Sequence, residues 1–387
     1  MPKLVRITTV PISMMVLLKG QLKFMKQNGF DVTMISSDGP EVKPLIVQED
    51  CPHIAITLTR KITPFTDFVS LIKLTLLLRK LKPDIVHTHT PKAGLIGMWA
   101  AKLAGVKIRL HTIAGLPWME SKGMIQRILI AVEKLTAFAA TSVFPNSFVQ
   151  RDYLLQNGIA KNKMKVIGNG SSNGIDTDFF SKNLDIENQA KLFRQRERIH
   201  EDAWVWIFVG RIVRDKGVTE LLDAFLEIQQ QFPEDRLLLL GEQEPHLDPL
   251  DEKYVALLKS HHAIISCGFQ KDIRPFLAAS QVLVFPSYRE GFPNVPMQAG
   301  AMGCALILSD INGCNEIVND GKDGWLVEVK NSVELSKAML QARSHPSLAH
   351  EYSNRIREKI VSNYSQKKLW NLILSEYQNQ LHQFTKK

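Results

Sequence analysis

The sequence predicts an α/β protein of two doubly wound domains, and three observations carry that prediction. Short apolar runs alternate with longer segments of helical periodicity along most of the chain. The alternation starts over once, near residue 173. The length, 387 residues, is enough for two separate cores. The expected division is 1–172 and 173–365, with 366–387 as a tail.

In the first half, a strand over 4–9 leads to a helix over 13–28, closed by Gly29, and a strand over 31–36. A helix over 65–81 stops before Pro83, which cannot continue it. A strand over 84–89 then delivers a polar end, and a helix over 93–104 is closed by Gly105. A strand over 107–111, a helix over 124–140, a strand over 141–145, a helix over 147–157 and a strand over 165–168 complete the domain. In the second half, strands are expected at 205–209, 236–240, 282–285, 305–309 and 324–327. Helices are expected at 218–231, 272–279, 296–303 and 332–343. The tail 366–384 places Leu369, Trp370, Ile373, Leu374, Tyr377 and Leu381 at helical spacing.

Composition excludes several classes. Hydrophobic content of 45% with 22% charged residues is that of a soluble globular chain, not a disordered or fibrous one. Cys51, Cys267, Cys304 and Cys314 form no C-x-x-C pair, so a reduced, cytoplasmic protein is expected. No signal peptide is expected, because Pro11 interrupts the only early apolar run. No run of about 18 apolar residues suggests a membrane span. Residues 1–173 carry 23 Lys and Arg against 10 Asp and Glu, while the remainder carries 25 against 29. Such one-sided charge suits a polyanion such as an anionic leaflet, a lipid diphosphate or nucleic acid; a plain solvated basic surface is the alternative. On the helix expected at 13–28, Lys19, Lys23 and Lys26 interleave with Met14, Met15, Leu17, Leu18, Leu22 and Met25, a composition suited to an anionic membrane surface or to an ordinary core helix. Lys73, Arg79, Lys80 and Lys82 would extend the basic surface.

The loop after the strand 282–285 holds the densest chemistry. It reads Phe-Pro-Ser-Tyr-Arg-Glu-Gly-Phe-Pro-Asn-Val-Pro, with one carboxylate at Glu290, and runs into a helix with Asn294 expected as N-cap and Pro296 in the first turn. Unpaired N–H groups at a helix start favour an anion. Upstream, Gly210-Arg211 and Lys216-Gly217 sit at a strand-to-helix turn, where a guanidinium and an ammonium can neutralise a diphosphate. Solvated surface cations would look the same in isolation. Glu242, after Gly241, is read as structural.

These motifs, in this order, closely resemble the donor-sugar loop of retaining glycosyltransferases of family 4, whose signature is Glu, seven residues, then Glu, with Gly-Phe-Pro after the first. The chain is similar over most of its length, most strongly at 209–324, and nearest to bacterial enzymes of capsule and O-antigen synthesis, which often show His-Thr-Pro-Lys-Ala-Gly, here His89 to Gly94. The resemblance implies the GT-B fold, two Rossmann-like domains facing across a cleft, the first for the acceptor and the second for a nucleotide sugar, with the tail crossing back onto the first. It implies that Arg211 and Lys216 hold the nucleotide diphosphate and that Glu290 binds sugar hydroxyls. Gly210, Phe269, Gly291, Phe292, Asn294 and Val295 would complete the donor site, and Phe269 would lie beside the base. Gln298 stands where the second Glu usually binds the ribose; its amide still accepts and donates hydrogen bonds but lacks the charge. The resemblance further implies a UDP-linked donor, a glycan or polyprenyl-diphosphate-linked acceptor, same-face displacement with retention, and no metal or other cofactor.

The acceptor side is less legible. His87 and His89 share one strand face, and His89, Lys92 and His111 are candidate acceptor-side residues. Related enzymes place a His where Ala114 stands, and Glu120 and Lys122 are further candidates. Asp176 and Asp178 form a D-x-D, read here as a turn in the linker and not as a metal site. Two rival functions remain open: a nucleotide-sugar 2-epimerase of the same fold, and a basic nucleic-acid-binding protein, although no recognition motif for the latter is present.

Overall fold

Strand pairing sorts the chain into two six-stranded sheets, and every pairing is parallel. The structure is a computed structural model and describes residues 1–387 except 60, 62, 120, 245–247 and 386–387. The chain divides into two compact units, Met1–Gly174 with Gln366–Lys387, and Ile175–Ser365.

The first unit begins β1 (Lys3–Ile7), α1 (Pro11–Leu17), α2 (Gln21–Gln27), β2 (Asp31–Ser36), α3 (Val42–Glu49) and β3 (His53–Ala55). It continues α4 (Pro64–Leu81), β4 (Ile85–His89), α5 (Pro91–Leu103), β5 (Ile108–Ile113), α6 (Gly123–Ala139), β6 (Ser142–Pro145) and α7 (Phe148–Gln156). The sheet order is β3-β2-β1-β4-β5-β6. Strand succession therefore reverses between β1 and β4, the switch point where open parallel sheets leave a crevice at their carboxyl edge. Right-handed crossovers put the helices of the two directions on opposite faces, so α4, α5 and α6 share one layer. Every position of β4 is buried, as expected of a strand covered on both faces.

The second unit runs α8 (Leu184–Arg196), β7 (Val205–Val209), α9 (Val218–Gln231), β8 (Arg236–Leu240), α10 (Glu252–Ser260), β9 (Ile264–Gly268) and α11 (Arg274–Ala278). Then come β10 (Val282–Phe285), α12 (Asn294–Ala301), β11 (Ala305–Ser309), α13 (Cys314–Ile317), β12 (Trp325–Val327), α14 (Ser332–Ser344) and α15 (Pro346–Tyr364). Its order, β12-β11-β10-β7-β8-β9, places the switch between β10 and β7. The final helix, α16 (Gln366–Thr385), belongs to the first unit, where Leu369, Ile373, Leu374 and Tyr377 pack with Leu4, Met14, Leu18, Leu22 and Met25.

The helix expected at 13–28 is two helices. Gly20 breaks it at φ +79°, and the Glu49 carboxylate, fully buried, accepts from the Gly20, Leu22 and Lys23 amides at 2.7, 3.1 and 3.3 Å. An anion thus caps the positive end of α2, which a continuous helix would not offer. Met14, Leu18, Leu22 and Met25 are core residues and Lys26 is paired with Asp50, so this segment is not the lipid-facing stripe its composition suggested. The strand expected at 165–168 is absent; only a single bridge joins Met164 to Val143. The elements α3, β3, α8, α10, β9, α13 and α15 were not expected. Among the described residues no helix is long and apolar enough to cross a membrane.

Glycines set how closely α5 lies on the first sheet. A Cβ on Gly94 would fall 2.4 Å from the His111 ring, and one on Gly97 would fall 2.7 Å from Thr88 Cγ2. Gly94→Ala is expected to cost about 1–3 kcal/mol of unfolding free energy through overpacking, read as a lower urea midpoint.

Candidate functional site

The loops that follow β7 and β10 leave the second sheet at its switch point, and they hold Arg211, Lys216 and Glu290. Lys216 Nζ donates to Glu290 Oε1 at 2.7 Å and to Ser287 Oγ at 3.4 Å. Both charged side chains are largely covered, with 15% and 18% of their surface exposed. Backbone contact fixes this pair. Gly217 has φ +69°, and a Cβ there would fall 2.0 Å from the Pro286 carbonyl oxygen, so only glycine fits. The Tyr288 amide donates to the Asp215 carbonyl at 2.9 Å, which ties the two loops together. A third loop joins them: Asn312 Nδ2 donates to the Glu290 and Gly291 carbonyls at 3.1 and 2.6 Å.

The other cations here are also paired. Arg211 Nη1 donates to Glu244 Oε2 at 2.9 Å, and Nη2 lies 3.8 Å from Asp215 Oδ2. Arg289 donates to the same Asp215 oxygen at 3.0 and 3.3 Å. Arg211 remains 43% exposed, and exposed pairs of this kind contribute about 0–1 kcal/mol, so an arriving anion can take the guanidinium at little cost. Sequence reasoning missed Asp215, Glu244 and Arg289, although Asp215 and Arg289 directly precede Lys216 and Glu290 in the chain.

Helix α12 begins one residue earlier than a cap at Asn294 requires. Pro293 is the N-cap, and no side chain caps the helix. Proline holds the extended backbone of a cap at φ −75°, which leaves Asn294 as the first helical residue. Gly291, Phe292, Asn294, Val295 and Gln298 are half-buried around this helix start, and the Phe292 ring rests 5.6 Å from that of Tyr364. Among the described residues the Gly291 and Phe292 amides and the Gln298 side chain have no hydrogen-bond partner. Gly210 follows β7 and lies against Gly241: a Cβ on Gly241 would fall 1.8 Å from the Gly210 carbonyl oxygen. Beyond it a cavity of about 470 Å³ opens at the ends of β8 and β9, walled by Ile212, Gly241, Glu242, Gln243, Ser266 and Gly268. Glu242, expected to be structural, thus faces this cavity, and Phe269 next to Gly268 is 71% exposed.

In the first unit the histidines turn inward. Arg6, fully buried on β1, donates to Tyr377 Oη and Gln21 Oε1, both at 2.7 Å, and its Nη2 lies 2.8 Å from His89 Nε2. His87 bonds Tyr377 Oη at 2.6 Å and Thr112 Oγ1 at 2.8 Å. Burial first, then the charge of Arg6 and the neighbouring imidazoles, holds His87 and His89 well below the usual histidine range. The cavity that His89 lines is about 20 Å³, room for a water and not for a sugar. His89 therefore belongs to a buried network, and it does not line an open acceptor site as expected. The same holds for His111, which bonds Thr88 Oγ1 at 2.8 Å and is held at about 4 by burial.

Lys92 is also committed internally. Its ammonium donates to Asp67 Oδ1 at 2.9 Å, to Thr59 Oγ1 and Thr63 Oγ1 at 3.2 and 3.3 Å, and to the Lys61 carbonyl. It stitches α5 to α4 and has little left for an acceptor. Beside it Thr90, a β-branched residue, sits at φ +73° and bonds Thr9 across the β1–β4 switch point, with Oγ1 to Oγ1 at 2.8 Å. Such strain persists only where surrounding structure enforces it. Ala114, where a His was expected, has its carbonyl bonded by Asn146 Nδ2 at 3.3 Å. Lys122 is exposed, and Glu120 lies outside the described residues. Asp176 Oδ1 accepts from the Asp178 and Phe179 amides, forming a turn. Among the described residues no three His, Cys, Asp or Glu side chains converge as a metal site.

Burial raises Glu133 to about 7, and His111 Nε2 lies 3.8 Å from its Oε1. With His111 held neutral this is a close approach without an ion pair. From the ordinary Glu value of 4.5 up to about 7, the folded state holds a proton that the unfolded state has lost, so stability falls as pH rises through that window. Glu133→Gln is expected to remove the loss. Its stability gain over the parent should be greater at pH 8 than at pH 5, by on the order of 3 kcal/mol, measured by urea unfolding at both pH values.

Two family models match the chain: "Glycosyl transferase 4-like domain" over residues 20–170 and "Glycosyl transferases group 1" over residues 189–359. The capsular polysaccharide biosynthesis glycosyltransferase CapM of Staphylococcus aureus is 32% identical over 362 residues, 93% of either chain. An Escherichia coli enzyme, UDP-Gal:alpha-D-GlcNAc-diphosphoundecaprenol alpha-1,3-galactosyltransferase, is 26% identical over 347 residues, 89% of this chain and 88% of its own. Among solved structures, Anabaena Alr3699/HepE in complex with UDP superposes with a TM-score of 0.82 at 18% identity, covering 98% of this chain and all of its own.

Proposed function

We propose that this chain, which belongs to the group 1 glycosyltransferases of the bacterial capsule and O-antigen type and has the GT-B fold, transfers a sugar from a UDP-sugar to a polyprenyl-diphosphate-linked glycan with retention. In this reading the second unit binds the donor and the first unit the acceptor. The observation that carries it is the meeting, at one switch point, of Lys216, Arg211, Glu290 and the unpaired amides of Gly291 and Phe292. Support for the substrates comes from relatives, one named for UDP-galactose and a diphosphoundecaprenol acceptor, one bound to UDP. Neither the epimerase nor the nucleic-acid reading draws support from these relatives.

The chemistry follows from the charges. Lys216 offers a point charge and Arg211 a planar fork to the diphosphate, each leaving its carboxylate partner. Glu290, released by Lys216, accepts hydrogen bonds from the sugar hydroxyls. The uracil occupies the cavity beyond Gly241 and Gly268, and Gln298 bonds the ribose without charge assistance. The bond from the anomeric carbon to the β-phosphate oxygen breaks, and the acceptor oxygen bonds that carbon from the same face. Its proton passes to the departing diphosphate. Negative charge grows on that diphosphate, and the two cations and the start of α12 stabilise it. The two side-chain cations fill the neutralising role, so the reading requires no metal.

The test is transfer from UDP-sugars to a polyprenyl-diphosphate-linked saccharide, with product anomer read by NMR. Lys216→Ala and Glu290→Ala are each expected to lower kcat/KM by about 10² or more. Gln298→Glu is expected to keep transfer with an altered donor KM. Wild-type turnover in either alanine variant, or an inverted anomer, would overturn the reading.

A further inference from the structure

Strand β11 ends at Ser309, and in the turn that follows Asn312 lays its side chain against the Glu290 loop. Asn312 Nδ2 carries two protons and donates to two successive carbonyls, that of Glu290 at 3.1 Å and that of Gly291 at 2.6 Å. Gly313 makes the approach possible. It has φ +80°, and a Cβ there would fall 2.7 Å from the Gly291 carbonyl oxygen and 3.0 Å from the Phe292 Cα. A side chain at that position would hold Asn312 away from the loop.

Peptide geometry converts this contact into an orientation of the next two amides. These peptides are trans, so each carbonyl points opposite to the N–H of the residue that follows it. Holding the Glu290 carbonyl therefore turns the Gly291 N–H away from Asn312. Holding the Gly291 carbonyl does the same for the Phe292 N–H. These are the two half-buried amides that have no hydrogen-bond partner among the described residues. Successive N–H groups turned to one side form a concavity for an anion. The Glu290 backbone is fixed by the same bond, so it stays in place when the carboxylate lets go of Lys216. We infer that Asn312 is a positioning residue of the donor site, whose side-chain amide aligns the Gly291 and Phe292 N–H groups toward the donor diphosphate. The aligned amides meet the charge that grows on the diphosphate as the sugar leaves. This role rests on the reading of the second unit as the donor site.

Free UDP carries more negative charge on its terminal phosphate than a UDP-sugar does, so aligned amides favour the departing diphosphate over the bound donor. The test is calorimetric titration with UDP and with UDP-galactose, neither of which needs an acceptor, beside the transfer assay described above. Asn312→Ala is expected to weaken UDP binding and to lower kcat by about tenfold or more each, while UDP-galactose binding changes by less than about threefold. Asn312→Asp keeps the shape but sets a carboxylate against two carbonyl oxygens, and it is expected to be no more active than Asn312→Ala. A side chain that merely packed the loop would lower the thermal midpoint and leave both kcat and the ratio of UDP to UDP-galactose affinity unchanged. That result would overturn the inference, as would wild-type turnover in Asn312→Asp. Lys216→Ala, titrated with UDP in parallel, separates the two readings. Weaker binding there with undiminished binding in Asn312→Ala overturns the role of Asn312 alone. Undiminished binding in Lys216→Ala overturns the donor site, and the role of Asn312 with it.

Discussion

Four loops meet backbone to backbone at the carboxyl edge of the second sheet, and their packing depends on the glycines that permit it. Gly217 lies under Pro286, Gly241 under Gly210, and Gly313 would put a Cβ 2.7 Å from the Gly291 carbonyl oxygen. At each position a side chain would collide with main chain, which cannot swing aside. The result is that Lys216 and Glu290, 74 residues apart in sequence, are held within a charge-assisted hydrogen bond of 2.7 Å. A half-buried pair of this kind adds little net stability, because each charge has lost water to form it. In the proposed reading its value lies in holding the ammonium and the carboxylate ready for separate partners.

The first unit handles charge by a different route. Arg6 is buried in the sheet and, among the described residues, touches no carboxylate; its two terminal nitrogens bond Tyr377, Gln21 and His89, and its Nε has no partner. Tyr377 comes from α16 at the far end of the chain, so the tail closes the network as well as the core. His87 and His89 on β4 are thereby fixed as neutral hydrogen-bonding groups, and His111 on β5 is held likewise by burial beside Thr88. They shape the floor beneath the β1–β4 switch and are not free to meet a substrate.

What the sequence disclosed follows from where each interaction lies. Strands β7, β8, β10 and β11 were legible to the residue, because continuous apolar runs mark strands buried on both faces. Helices α8 and α15 are rich in polar residues and show only a thin apolar stripe, so their periodicity is weak. The break at Gly20 is enforced by Glu49 and Trp370, partners remote in sequence. Lys216 and Glu290 were legible as motif residues; their contact with each other was not. His89 and His111 were read as lining an opening because polar residues end their strands. The one warning was Arg6, a charge inside an otherwise apolar strand, which demands buried polar partners.

The central claim is that Lys216 exchanges Glu290 for a diphosphate. Calorimetric titration of UDP into the wild type, Lys216→Ala and Glu290→Gln tests it most directly. The account predicts at least about tenfold weaker UDP binding in Lys216→Ala, the loss of one charge-assisted contact, and undiminished binding in Glu290→Gln, where the ammonium is already free. Equal UDP affinity in Lys216→Ala and the wild type would contradict it.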